Sequence, residues 1–137
     1  MLRIVVDPNV FVSAVIQPTG TSAAAVRAGF AGRYRIIACP ALTDELAEVL
    51  QRPKLAAYVS SGDAAALVDA IVGTVEMRRD PESRPVTLRD PADEYLVGLA
   101  VEADADLIVS GDRDLLDASV APDVVSPRGL LERLEEH

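Results

Sequence analysis

Cysteine is almost missing from this chain: Cys39 stands alone in 137 residues, between Ala38 and Pro40, so neither an intrachain disulfide framework nor a thiolate metal cage can be built. A reducing, cytoplasmic setting is expected. Histidine is confined to His137, which excludes a Ser-His or Cys-His nucleophilic pair. No glycine-rich phosphate loop of either common type is present. Apolar runs stop well short of about eighteen residues, and the first one, Leu2 to Val6, is cut by Asp7. Neither a membrane span nor a signal peptide is expected. Positive charge is also scarce. The net charge of −9 argues against broad attraction to nucleic acid, which normally rests on a Lys/Arg surplus that releases condensed counterions.

What is present is an alternation of short apolar runs with longer segments of helical period, the mark of an α/β sheet in one domain spanning residues 1–137. Strands are expected at Leu2 to Val6, Tyr34 to Ala38, Val75 to Met77, Leu107 to Val109 and Val124 to Val125, giving four or five strands. Between them, Asn9 to Ile16 reads as a short helix. Thr21 or Ser22 caps a second that ends near Ala31 at Gly32, and Thr43 caps one that runs to Arg52 before Pro53. A pair of helices follows Pro53. The second starts near Asp63 and has Leu67, Val68, Ile71 and Val72 on its apolar side. Asp80 to Pro91 reads as a surface loop with three prolines. Asp90 or Pro91 then opens a helix with Leu96, Leu99, Ala100 and Ala103 buried, and Pro127 opens the last, ending in a solvated Glu135-Glu136-His137.

Three acids stand where such a sheet brings side chains together. Asp7 follows the first strand, Asp112 follows Leu107-Ile108-Val109, and Asp93 opens a helix. In a parallel sheet every strand's carboxyl end, and the helix start after it, faces one crevice. Like charges about 5 Å apart at an effective dielectric near 20 cost on the order of 3 kcal/mol, so a cluster calls for a bound cation or raised pKa values. Each acid also has a structural role. Asp7 and Asp90 read as N-caps ahead of Pro8 and Pro91, Asp112 as a cap with Asp114 in its first turn, and Glu45 as a first-turn acid after Thr43. The two roles are compatible, because helix N-termini bring free N–H groups to the same edge.

Other acidic α/β sites fit poorly. A phosphatase of the haloacid dehalogenase type needs a second aspartate two positions after the first, where this chain has Asn9, and a receiver domain needs a lysine at the sheet edge, whereas the only lysine is Lys54. Hydrolysis would therefore run through metal-activated water.

Four segments, in order, carry a specific likeness: Ile4-Val5-Val6-Asp7-Pro8-Asn9-Val10-Phe11-Val12-Ser13, Pro40-Ala41-Leu42-Thr43-Asp44-Glu45-Leu46, Arg89-Asp90-Pro91-Ala92-Asp93, and Ile108-Val109-Ser110-Gly111-Asp112-Arg113-Asp114-Leu115-Leu116. Together they cover nearly the whole chain, which resembles the PIN-domain nucleases, in particular the VapC-like toxin subunits of bacterial toxin–antitoxin pairs. The resemblance implies a three-layer α/β/α domain around a mainly parallel sheet. It implies Asp7, Glu45, Asp93 and Asp112 as the catalytic, metal-holding acids for Mg²⁺ or Mn²⁺, supported by Asp114. Asn9, Ser13 and Ser110 match polar positions around the metal. Asn9 and Ser13, four residues apart, fall on one helix face from which they could hold carboxylates or a water. One departure is clear: Pro8 stands where the family usually has threonine, removing a hydroxyl and an N–H beside Asp7.

The implied activity is hydrolysis of RNA phosphodiester bonds. Twelve of the thirteen basic residues are arginine, whose planar fork suits phosphate; Arg89 and Arg113 are the candidates for such contacts. The implied partners are RNA, a small antitoxin and a second copy in a homodimer, with no membrane. The alternative is a PIN-like module that binds RNA or protein without cutting, which Pro8 and the acidic surface would favour.

Overall fold

In the computed structural model, which describes residues 1–136, all five expected strands form, each within one residue of the sequence pattern. They are β1 (Arg3–Val6), β2 (Arg35–Ala38), β3 (Glu76–Met77), β4 (Leu107–Val109) and β5 (Val124–Val125). Every pairing is parallel, in the order β3-β2-β1-β4-β5. Parallel neighbours need long crossovers, and helices supply them. Helices α1 (Pro8–Ile16) and α2 (Thr21–Phe30) join β1 to β2, and α3 (Pro40–Leu50) and α4 (Ser61–Thr74) join β2 to β3. Then α5 (Glu94–Glu102) leads into β4, α6 (Arg113–Asp117) leads into β5, and α7 (Pro127–Glu136) follows.

The strands are buried on both sides, and their side chains alternate between two cores. Ile4, Val6, Ile36, Leu107 and Val109 pack with α1, α2, α3, α4 and α7 around Phe11, Tyr34, Leu46, Leu55 and Ile71. Val5, Ile37 and Ile108 pack on the opposite side with Leu42, Leu115 and the residues of α5. The result is the expected three-layer α/β/α arrangement. Each fully buried Ile, Leu or Val of these layers stabilises the fold by about 1.5–3 kcal/mol relative to exposure. Cys39 lies in the second core, where burial pushes its thiol up to about 11. It is a packing residue, not a reactive one.

Several helix boundaries differ from the sequence pattern. The third helix begins at Pro40, not after Thr43. Proline at the first helical position sets the start without a polar cap, and the buried Thr43 hydroxyl donates back to the Pro40 carbonyl at 3.1 Å. Glu45 therefore lies in the second turn and has no first-turn role. Gly20, not Thr21 or Ser22, precedes α2, with no side-chain cap. The first of the two helices expected after Pro53 is only a 3₁₀ turn, Pro53–Leu55. Its partner α4 is capped by Ser60, whose Oγ accepts the Asp63 N–H at 3.1 Å. Val72 faces solvent at 46% exposure, while Ala64 and Ile71 carry the burial. Glu135 and Glu136 end α7 exposed to solvent, and His137 lies outside the described residues.

The 78–90 segment is irregular, as the prolines require, but it is strapped across α5. Pro81 is buried, Val86 and Leu88 pack on the second core, and Glu102 accepts from Glu82 N–H, Ser83 N–H and Ser83 Oγ at 3.0, 2.8 and 2.6 Å. This cover buries six consecutive residues of α5, Tyr95 to Ala100, where the sequence suggested only a stripe. Among the described residues, no helix is long and apolar enough to cross a membrane.

Gly98 permits the strap, since a Cβ there would stand 2.3 Å from the Ser83 carbonyl oxygen. Gly98→Ala should destabilise the fold by about 1–3 kcal/mol through overpacking, read as a lower urea midpoint at unchanged slope. Unaltered stability would mean that the strap does not bear on the helix.

Candidate functional site

After β3 the chain returns to the other side of β1, so the direction of winding reverses between β1 and β4. At such a switch point the connections leave in opposite directions and open a crevice at the carboxyl ends of the strands. Val6 pairs with Val109, and the Asp7 N–H donates to the Val109 carbonyl at 2.9 Å. Asp7 is thus held at the mouth between the two central strands. It is 1% exposed, yet both its oxygens are satisfied: Oδ1 accepts the Asn9 N–H at 2.9 Å as the cap of α1, and Oδ2 accepts Ser110 Oγ at 2.8 Å. The same hydroxyl accepts the Asp112 N–H at 3.0 Å, and Asp112 Oδ1 caps α6 by accepting the Asp114 N–H at 2.9 Å. One chain of hydrogen bonds therefore joins the ends of β1 and β4.

Two more acids enter from the helices. Tyr95 O–H on α5 donates to Glu45 Oε1 on α3 at 3.1 Å. The helix expected from Asp90 or Pro91 begins only at Glu94: Asp90 caps a 3₁₀ turn, Pro91–Asp93, by accepting the Ala92 N–H at 3.0 Å, and Asp93 ends that turn directly before α5. The Asp93 carboxyl makes no cap bond; it lies beside Asp112, within hydrogen-bonding reach.

The electrostatics bind the four acids into one group. Burial raises the Asp7 pKa, against the Asn9 and Ser110 donors, and the Asp112 charge adds to the rise. Glu45 is raised by burial and by Asp7, while the Tyr95 hydroxyl and Arg52 oppose. Asp93 is pushed up to about 7 by burial, by the hydrogen bond with Asp112 and by the charges of Asp7, Asp90 and Asp112. Raised values of this kind are what carboxylates crowded into one low-dielectric crevice produce. The side chains share the crevice without closing on a point: among the described residues, no three His, Cys, Asp or Glu side chains are arranged to hold a metal ion as they stand. Asp7, Glu45 and Asp112 are each turned instead to donors of the protein: the Asn9 N–H and Ser110 hydroxyl, the Tyr95 hydroxyl, and the Asp114 N–H. An all-oxygen, acidic donor set nevertheless suits a hard divalent cation, which would relieve the repulsion among the acids.

The remaining expected site residues divide. Asn9 and Ser13 share the helix face that borders a cleft of about 280 Å³ with Val10, Gly111 and Asp112. The Asn9 contact to Asp7 runs through its backbone N–H, however, and neither side chain bonds an acid among the described residues. Ser110 is engaged as described. The Asp114 carboxylate faces Arg89, with Nε 3.8 Å from Oδ2, and only its backbone reaches Asp112. Arg113 is exposed on α6. Two residues were not foreseen. Ser22 completes the cleft from α2, with no local signal to mark it. Tyr95 was legible only as a lone hydroxyl-bearing residue in an apolar helix.

A family model described as PIN domain matches residues 3–114. The chain is similar to the uncharacterized protein MJ1680 of Methanocaldococcus jannaschii, 26% identical over 115 residues, which are 84% of this chain and 74% of that protein. Its fold is similar to the crystal structure of PAE2754 from Pyrobaculum aerophilum, with a TM-score of 0.69 at 16% identity over 99% of this chain and 91% of that one.

The raised Asp93 pKa carries a sign. The folded chain keeps that proton up to about 7, whereas an unfolded aspartate releases it near about 4. Across that window the folded state binds more protons, so stability falls as pH rises and levels off above it. In EDTA, the wild-type melting temperature should fall between these limits more steeply than that of Asp93→Asn, which should be equally or more stable at neutral pH. A folding collapse of Asp93→Asn would assign the residue to structure instead.

Proposed function

Because the chain belongs to the PIN-domain family, whose members are generally nucleases, we propose that residues 1–137 are one PIN-like domain acting as an Mg²⁺- or Mn²⁺-dependent endoribonuclease. The observation that carries this reading is the group of four acids, from four separate elements, gathered at the sheet's switch point, where Asp7 and Asp112 share the Ser110 hydroxyl and burial and neighbouring charge raise the pKa values of Asp7, Glu45 and Asp93. Asp7, Glu45, Asp93 and Asp112 would hold the cation, with Asp114 in support. When bound, the cation offsets charge building on the phosphate and makes water a competent nucleophile near neutral pH.

The protein's part is positioning. Ser110 and the Asn9 N–H fix both oxygens of Asp7, leaving their further lone pairs toward the crevice. Tyr95 holds Glu45 from across the site. Asp93, which burial and its acidic neighbours keep protonated to about 7, would have to release that proton to serve as a ligand. Water adds to phosphorus and one P–O ester bond breaks, the departing oxygen leaving as a hydroxyl with a proton that the water gives up. No covalent enzyme intermediate is needed, and with histidine limited to His137 the hydroxyls of Ser13 and Ser22 have no imidazole base.

By the resemblance to VapC-like toxins, the protein would work in the cytoplasm as a homodimer and be held in check by a small antitoxin that occludes the crevice. Arg89 and Arg113 would reach phosphate, Arg89 after leaving Asp114. A second reading, a module that binds RNA or protein without cutting, rests on Pro8: it is buried at the first position of α1 and supplies neither the hydroxyl nor the N–H of a threonine beside Asp7.

Labelled single-stranded RNA mixed with the purified protein should be cleaved in Mg²⁺ or Mn²⁺ and remain intact in EDTA. Asp112→Asn should lower the rate by about 100-fold or more, beyond the loss typical of residues that only support a metal ligand. RNA retained but uncut in every metal would favour the binding module.

A further inference from the structure

A second hollow, of about 350 Å³, runs alongside the acid crevice, and Asn9 lines both. Its floor is apolar, made by Val12 and Ile16 of α1 with Val49 and Leu55. Its rim carries Arg52, directly before the 3₁₀ turn Pro53–Leu55, Lys54 within it and Tyr58 three residues past its end. Resting on the nuclease reading above, we propose that this groove is the track for the substrate strand, seating single-stranded RNA with phosphates on Arg52 and Lys54 and a base on the Tyr58 ring.

Three observations select that occupant. In a chain of net charge −9 with one lysine, the lysine and an arginine share a single groove that reaches Asn9, whose backbone N–H is bonded to Asp7. Lys54 makes no ion pair among the described residues, and the only partner of Arg52 is Glu48, an exposed pair with side chains 47% and 63% accessible. Such pairs are weak in water and readily exchanged for phosphate. Tyr58 is 55% exposed, an aromatic face left open beside two cations, which is the combination that holds single strands without reading sequence. The Arg52 charge is also felt by Glu45, so the groove and the acids are electrostatically continuous. From Asn9 to Ile16 the track runs about 10 Å along the helix, room for about two or three nucleotides at the spacing of a stacked strand. A duplex, with its bases turned inward, could not use the apolar floor.

The test uses the intact 137-residue chain and a fluorescein-labelled oligouridylate, read by anisotropy in EDTA across a salt series and then by steady-state cleavage in Mn²⁺. The Arg52→Ala/Lys54→Ala variant should bind about tenfold or more weakly. Its slope of log affinity against log salt should be shallower by about 1.4, or about 0.7 for each lost phosphate contact. Tyr58→Ala should weaken binding about fivefold or more, while Tyr58→Phe retains it. In cleavage Arg52→Ala/Lys54→Ala and Tyr58→Ala should raise KM and leave kcat in place, with Tyr58→Phe like the wild type. All three positions are on the surface, and unchanged thermal melting would confirm that the variants fold. Wild-type affinity and KM in the variants, failure of the wild type to bind at low salt, or tighter binding of the strand when duplexed with its complement would overturn the groove. If these binding losses appear but no metal supports cleavage, the groove stands and the nuclease reading falls. Cleavage that is indifferent to all three residues gives the reverse.

Discussion

The hydrogen bond from Ser110 Oγ to Asp7 Oδ2, 2.8 Å long across the ends of β1 and β4, is the contact on which the rest of the site depends. A carboxylate that is 1% exposed is costly unless its oxygens are paired. Here the Asn9 N–H and the Ser110 hydroxyl do the pairing, each such bond to a charged group contributing about 1.5–3 kcal/mol. Because the same hydroxyl accepts the Asp112 N–H, burying Asp7 also sets where the second acid begins its helix. Capping and function are therefore one arrangement: the bonds that start α1 and α6 orient the carboxylates that the proposed chemistry uses.

The distribution of charge makes the overall acidity less of an obstacle to a polyanionic substrate than it first appears. Much of the negative charge that matters is concentrated at the crevice, where a divalent cation would neutralise it. Arg3 is spent at the opposite end of the sheet, holding Glu76 through Nε and the Ala103 carbonyl through a terminal nitrogen. Arg78 adds to the same Glu76 pair, which lowers that carboxylate's pKa. The cations left beside the crevice are local: Arg52 and Lys54 along the proposed track, and Arg89 near Asp114. Short-range contacts of this kind, screened beyond about a Debye length from the rest of the surface, can operate within a net-negative protein.

The helix boundaries show where local reasoning loses its hold. A proline after a buried cysteine started α3, and Thr43, the residue with the better capping side chain, was drawn inside because Leu42 and Leu46 needed that face for the two cores. The 3₁₀ turn after Pro53 is too short to hold a helical period, yet it places Leu55 in the core and Lys54 and Tyr58 on the rim. Burial of α5 on all sides depends on a strap whose own sequence is polar and proline-rich. Gly98 fits that strap, but nothing in the neighbouring residues indicates what it would meet.

By itself, the sequence determined the strands, the parallel α/β class and the acids at the strand ends, because side-chain period, β-branched runs and proline starts are local properties that a linear pattern records. The all-parallel order with its reversal beside β1, the Tyr95 to Glu45 bond across fifty positions, the place of Ser22 in the cleft and the outward turn of Asp114 toward Arg89 were decided only in the tertiary structure. Each is a contact between elements distant in the chain, set by how helices settle on a twisted sheet, and no single segment carries enough information to specify its partner.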